Sequence, residues 1–267
     1  TLDRSSAASD VYKRQFLYKT IIRKQKYLES KGDKWIMIRL QNVYYEYSKN
    51  HPVLNGINLD IKENEKVGIL GESGAGKTTL VKLILNEIKS IRGKVNVDSK
   101  RVLPIYQHAF ESFDRHYTIQ QSLEEPLIYY NKVKASFIKE QILNHLDAFH
   151  LSHQLLQKYP NEVSGGQLQR LNIIRTLLAQ PDILICDEIT SNLDVIAEQK
   201  VIDFLLKSEI DIPQTMIVIS HDLSVLQRLT NRIIVLKDGL IVDDFKTNEL
   251  FDSERNEYTK LLIETFE

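Results

Sequence analysis

A single cysteine, Cys186, occurs among the 267 residues of this chain. One thiol excludes an intrachain disulfide and any multi-cysteine metal or iron–sulfur site, and it suits a reducing compartment. No apolar run approaches the roughly 18–20 residues that a membrane-spanning helix needs, so a membrane role has to come through a partner. Thr1–Asp10 is polar and has no apolar stretch of the secretory-signal kind. An excess of either charge is also missing. The 35 Lys/Arg and 36 Asp/Glu give a formal net charge of -1, which is no footprint for nucleic acid or an anionic surface. The average hides a split: residues 1–36 carry nine basic and four acidic side chains, a net of +5, and the remainder carries a net of -6. An acidic body argues further against a nucleic-acid partner.

The first 36 residues read as foreign to the rest of the chain. Ser5–Gln15 resembles translated cloning or adaptor sequence, and Phe16–Lys34 is basic with no clear apolar face. We expect the native start at Met37 and the working domain over 37–267; a genuine basic extension is the alternative. From Met37 onward strands and helices alternate. Met37–Tyr47 and Val53–Ile61, rich in Val, Ile and Tyr, predict antiparallel strands. Glu65–Leu70 predicts a buried strand, and Lys77–Ser90 a helix through Leu80, Leu83, Ile84 and Ile88. Strands are expected at Lys94–Val97, Arg101–Tyr106, Asp182–Asp187 and Thr215–Ser220, with helices over Gly165–Ala179, Ala197–Ser208 and Leu223–Leu229. Thr118–His150 reads as mostly helical with a break at Pro126, and Asp238-Gly239 as the turn of a hairpin between Arg232–Lys237 and Leu240–Phe245. Two short helices are expected at the end. The alternation predicts an α/β fold whose mostly parallel sheet is covered on both faces.

Residues Gly71-Glu72-Ser73-Gly74-Ala75-Gly76-Lys77-Thr78 fit G-x-x-x-x-G-K-[ST] between an apolar strand and a helix. The glycines let the backbone curl so that its N–H groups face phosphate oxygens, and the helix N-terminus adds partial positive charge. In this phosphate-binding loop Lys77 would reach the β- and γ-phosphates, and the Thr78 hydroxyl would ligate Mg2+. Ile183–Glu188 is an apolar strand ending in two carboxylates, expected beside the strand of the phosphate loop. Asp187 is then the candidate for the Mg2+ shell, and Glu188 the candidate general base toward the attacking water. Cys186 alternates into the core and reads as packing.

Val163-Ser164-Gly165-Gly166-Gln167, followed by Leu168-Gln169-Arg170, resembles the signature sequence of ATP-binding cassette (ABC) ATPases. The resemblance implies a P-loop NTPase (RecA-like) core, an antiparallel β subdomain, and a helical signature subdomain at about 110–170. It also implies a nucleotide sandwich. Ser164, Gly165, Gly166 and Gln167 would face the γ-phosphate bound to a second cassette, so each hydrolytic site needs two subunits. Other positions match one at a time. Tyr47 resembles the aromatic that stacks on adenine, with Tyr44 and Tyr45 as competitors, and Thr79 joins the nucleotide-binding set. Gln107 resembles the glutamine that touches Mg2+ and the attacking water. Ser191-Asn192-Leu193-Asp194 resembles the loop that crosses the dimer interface, and His221 the histidine that contacts the γ-phosphate. Three positions depart from the usual pattern: Ile189 after the glutamate, Val163 before the signature serine, and His108-Ala109 after Gln107. None removes a phosphate, metal or base contact.

Phe110–Pro126, Ser164–Arg170 and Ser191–Asp194 resemble the peptide- and nickel-import group, and within it the second ATPase of nickel or metal-chelate importers. That resemblance implies ATP and Mg2+, a second ATPase subunit (identical or different), two transmembrane permease subunits, and indirectly a solute-binding protein. It implies no nucleic-acid partner and places the chain on the cytoplasmic face of the cell membrane. Phe110, Phe113 and Tyr117 are candidate permease contacts, with packing inside the helical subdomain as the alternative. A soluble cassette ATPase of assembly or repair and a non-catalytic interaction module remain the competing classes.

Overall fold

The computed structural model describes residues 35–49, 51–99, 101–131, 135–191, 193–207 and 212–266. Residues 1–34 of the expected extension, Asn192 and Ser208 lie outside the described residues.

Alternating apolar residues build a three-stranded antiparallel sheet in the order β2 (Pro52–Lys62), β1 (Ile36–Glu46), β4 (Arg92–Val97). Leu40 pairs with Leu59 on one side and Val95 on the other. The core positions Ile38, Leu40 and Val43 are not evenly spaced. A bulge between Leu40 and Val43, with Asn42 at φ 50°, absorbs the extra residue and keeps Val43 inward.

The second sheet has six strands in the order β5 (Val102–Ile105), β6 (Ile183–Asp187), β7 (Thr215–Ile219), β3 (Lys66–Leu70), β8 (Arg232–Lys237), β9 (Leu240–Lys246). Five strands are parallel, and β9 returns antiparallel across the Asp238-Gly239 turn. Contrary to expectation, the strand ending in Asp187 does not lie beside the phosphate-loop strand, because β7 sits between them. Ile219 pairs with Asp187 on one side and Ile69 on the other, so the three carboxyl ends stay level. The acid is therefore about two strand spacings, roughly 9–10 Å, from the loop strand, which leaves room for a ligand between them.

Both faces of this sheet are covered, which is why its strands are continuous apolar runs. Leu184, Cys186, Met216, Val218, Ile233 and Val235 join the cluster that packs the helices, while Ile183, Ile185, Ile217, Ile219, Ile234 and Leu236 face the antiparallel sheet. Helix α1 (Lys77–Ile84) lies on the second side and is shorter than expected. It stops at Leu85, where Asn86 turns left-handed at φ 57°, a common helix ending. Between β5 and β6 run α2 (Ile119–Pro126), α3 (Ala135–Ala148) and α4 (Gly165–Leu178). A capping box from Thr118 to Gln121 starts α2, and another from Ser164 to Gln167 starts α4. Helix α5 (Val195–Lys207) begins two residues earlier than expected, because the Asp194 carboxylate accepts a hydrogen bond from the Ala197 N–H at 2.9 Å. Helices α6 (Leu223–Leu229) and α7 (Glu257–Phe266) complete the layer.

Candidate active site

The carboxyl ends of β3, β6 and β7 converge on one cleft of about 730 Å3. Its walls include Gly71–Gly74, Gly76–Thr79, Asp187, Glu188, His221 and Tyr47. Two glycines make the loop possible. A Cβ at Gly71 would collide with the Leu236 carbonyl oxygen, and one at Gly76 (φ 105°) would fall 2.8 Å from the Leu54 side chain. The loop curls around its own lysine. The Lys77 ammonium donates to the Gly71 carbonyl at 2.6 Å and the Glu72 carbonyl at 2.8 Å. Burial lowers the Lys77 pKa from its ordinary value, while Glu188, Asp187 and Glu72 pull it back up.

Three catalytic candidates meet on one carboxylate. Gln107 donates from Nε2 to Glu188 Oε2 at 2.9 Å and to Ser191 Oγ at 3.0 Å. His221 Nδ1 stands 3.7 Å from Glu188 Oε1. Glu188 itself has φ 48°, a left-handed conformation costly for a residue with a side chain. Its N–H donates to the Ile219 carbonyl at 3.0 Å, and its carbonyl accepts from the Ser191 hydroxyl at 2.9 Å, which hold that conformation. The buried Gln169 of α4 donates to the Ile189 carbonyl at 3.1 Å, tying the signature helix to this turn. Tyr47 sits at the mouth of the cleft, 58% exposed, with its hydroxyl 3.3 Å from Thr79 Oγ1. It stacks edge-on against Tyr45, which packs on the core, and Tyr44 lies under Arg92. Of the three aromatics only Tyr47 lines the cleft.

Asp187 is electrostatically perturbed by its setting. Burial raises its pKa above the usual carboxylate value, Glu188 raises it further, and Lys77 opposes both. In the fold the protonated form is thus favoured, so stability falls as pH rises from the ordinary aspartate range through the raised value. Asp187→Asn is expected to raise the ligand-free melting temperature at neutral pH while removing Mg2+-dependent hydrolysis; differential scanning calorimetry with phosphate-release assays checks both. No trio of acidic, histidine or cysteine side chains able to cage a metal occurs among the described residues. An oxygen pair from Thr78 and Asp187 fits a hard cation that completes its shell with substrate phosphates, as Mg2+ does.

The signature residues are elsewhere. Ser164, Gly165, Gly166 and Gln167 contribute nothing to this cleft. A Cβ at Gly165 would meet open space, so the Ser164 cradle faces outward at the start of α4. Asp194 serves as a helix cap and is likewise outside the cleft. Phe110 and Tyr117 are exposed, but Phe113 is buried beneath the Arg175 guanidinium, 5.8 Å from the ring. It is core, not a contact surface. Burial pushes the Cys186 thiol up to about 12, consistent with inert packing. Sequence reasoning missed Val53 and, from α7, Leu262 and Thr265 as cleft walls. No local pattern marks them. It also missed Ser191 as a second acceptor for Gln107, a contact between residues 84 apart that no local pattern marks.

A curled glycine loop, an acid-tipped strand two places away and a glutamate hydrogen-bonded by a glutamine, with a histidine beside it, define a nucleoside-triphosphate hydrolase site. The family model for the ABC transporter matches residues 54–191, and the chain belongs to that family as one of its ATP-binding cassettes. It is 55% identical over 231 residues, 86% of this chain and 99% of the relative, to the nickel import system ATP-binding protein NikE of Staphylococcus aureus strain USA300. Among solved structures it is similar to cbiO1 from Clostridium perfringens, part of the ABC transporter complex cbiONQ (TM-score 0.71, 22% identity, 83% of this chain and 92% of that chain). It is also similar to the dimeric, post-hydrolysis state of the cassette MJ0796 bound to ADP and Pi (TM-score 0.68, 28% identity, 79% of this chain and 99% of that chain). The chain is an ATPase of the cassette type, and its fold is the P-loop NTPase fold.

Proposed function

We propose that this chain is the ATP-hydrolysing subunit of a membrane importer for nickel, free or chelated, with short peptides as the alternative cargo. The identity to a nickel-import ATP-binding protein across 231 residues supports the cargo class; the grouping of Lys77, Asp187, Glu188 and His221 around one cleft, with Gln107 on Glu188, supports turnover. Tyr47 stacks on the base. The loop Gly71–Thr79 grips the phosphates, and Lys77 shifts from its own carbonyls to the β- and γ-oxygens. Thr78, Gln107 and Asp187 would hold a Mg2+ that neutralises charge on those oxygens. Glu188 orients and deprotonates water, steadied by Gln107, with His221 on the γ-phosphate. Ser164–Gln167 and Asp194 act on the nucleotide of a second ATPase subunit, since within one subunit they stand apart from the cleft. A groove beside α2 and α4, lined by Tyr106, His108, Glu111, Glu125, Tyr129 and Arg175, would receive a permease helix. The subunit then sits peripherally on the cytoplasmic side, fed through a solute-binding protein.

We further propose that residues 1–36 are dispensable. One experiment tests cargo and boundary together. Cells lacking this chain are complemented with the full chain, with 37–267, or with Lys77→Ala, and uptake of radioactive nickel is followed. Both of the first two are expected to restore uptake and the third to fail. Unchanged nickel uptake in the deletion strain, with peptide uptake lost, would overturn the cargo; failure of 37–267 alone would overturn the boundary.

A further inference from the structure

Helix α4 is lined with buried apolar side chains, Leu168, Leu171, Ile173 and Ile174 among them. Gln169 sets a carboxamide in their midst that is only 5% exposed. Burying an amide is unfavourable unless it is hydrogen-bonded, so packing alone would favour an aliphatic side chain here. What the amide supplies is a donor. Its Nε2 donates to the Ile189 carbonyl, twenty residues on, at 3.1 Å. Ile189 is buried and directly follows Glu188. A second contact lies on the same face of α4, one turn earlier. A Cβ at Gly166 would stand 3.7 Å from Leu193 Cδ2, so α4 packs along the segment that follows Glu188.

That segment needs outside support. Glu188 has φ 48°, and a residue with a side chain keeps such a conformation only where its surroundings over-determine it. Three consecutive peptide groups are held. The Glu188 N–H donates to the Ile219 carbonyl of β7 at 3.0 Å. The Glu188 carbonyl accepts from the Ser191 hydroxyl at 2.9 Å. The third peptide, between Ile189 and Thr190, is held by Gln169 through the Ile189 carbonyl. The turn is thus clamped by β7 on one side and by α4 on the other, with Ser191 between them. We propose that Gln169 is a positioning residue for hydrolysis, which fixes the turn that aims the Glu188 carboxylate. Its role depends on Glu188 being the general base. Gln169 is not a wall of the nucleotide cleft, and neither the phosphate loop nor Tyr47 leans on this bond. Its effect therefore belongs in the hydrolytic step and not in ATP binding.

Two variants of the purified full chain test this. Gln169→Met is close in length and has no donor; Gln169→Glu keeps the shape and replaces the N–H with oxygen. ATP affinity, turnover at saturating ATP and melting temperature are measured for each, alone and combined with Glu188→Gln, with radiolabelled ATP for the slow proteins. Each single variant is expected to lose about threefold to tenfold in saturated turnover, the fold-change equivalent to one hydrogen bond, with ATP affinity unchanged. In the Glu188→Gln background neither is expected to lower the residual turnover further, because no base is left to aim. A side chain that served stability alone would show no such split. Wild-type turnover in both Gln169 variants, with Glu188→Gln inactive, would overturn the proposal. So would weakened ATP binding, an equal further loss in the Glu188→Gln background, or failure of both variants to fold. Wild-type turnover in Glu188→Gln would overturn it at its premise, by removing the base, and so separates the two failures.

Discussion

Lys77→Ala is expected to eliminate ATP turnover while leaving the folded protein intact. The ammonium is aimed at the backbone of its own loop, donating to the carbonyls of Gly71 and Glu72. Those bonds keep it along the loop, where the proposed β- and γ-phosphate contacts would form. Losing a charge-assisted contact of this kind costs about 1.5–3 kcal/mol, a factor of roughly ten to more than a hundred in ATP affinity. The loss in hydrolysis is expected to be larger, because charge builds on the transferred phosphoryl group. Burial already lowers the lysine pKa, so removing it relieves a desolvated charge and ought not to depress the melting temperature. Equilibrium binding of ATP, phosphate release and thermal unfolding measured on one preparation separate these effects. Wild-type turnover in Lys77→Ala would show that the loop does not act through this side chain.

Glu188→Gln is the second large effect. The carboxylate accepts a hydrogen bond from Gln107 and lies beside His221, in a left-handed turn held by Ser191. Glutamine has the same shape and its oxygen still accepts from Gln107, so the turn should survive. Only the capacity to take a proton is gone. Turnover is expected to fall about 10²–10⁴-fold, the usual contribution of a general base, with ATP binding retained. Because Ser164–Gln167 point away from the cleft of their own subunit, the bound triphosphate remains available to a second subunit. ATP should therefore accumulate a closed dimer of the variant, seen by sedimentation velocity as a shift that ADP does not produce. Normal phosphate release would remove Glu188 from the base role. Concentration-independent turnover by a strict monomer would remove the two-subunit site altogether.

Much of this site was legible in the residues. A phosphate loop needs glycine where Gly71 and Gly76 are, since any Cβ strikes Leu236 or Leu54, and it needs Lys and Thr at the start of the following helix. The requirement is local, so it is written locally. Likewise Ile183–Asp187 announces a doubly buried strand by its unbroken apolar run, and the capping boxes at Thr118 and Ser164 announce helix starts. Family resemblance supplied the proposed roles of Gln107, Ser164, Asp194 and His221.

Other facts depended on which elements came to lie together. The sequence alone determined the phosphate-loop chemistry and the strand and helix order, because each rests on steric and hydrogen-bond rules acting over a few neighbouring residues; the candidates at Gln107, Ser164, Asp194 and His221 rest on resemblance instead. Only the tertiary structure decided that β7 separates the acid strand from the loop strand, that Phe113 is core, that Gln107 and His221 share Glu188, and that α7 comes back to the cleft. These are contacts between residues far apart in the chain, and packing of whole faces, not local pattern, selects them.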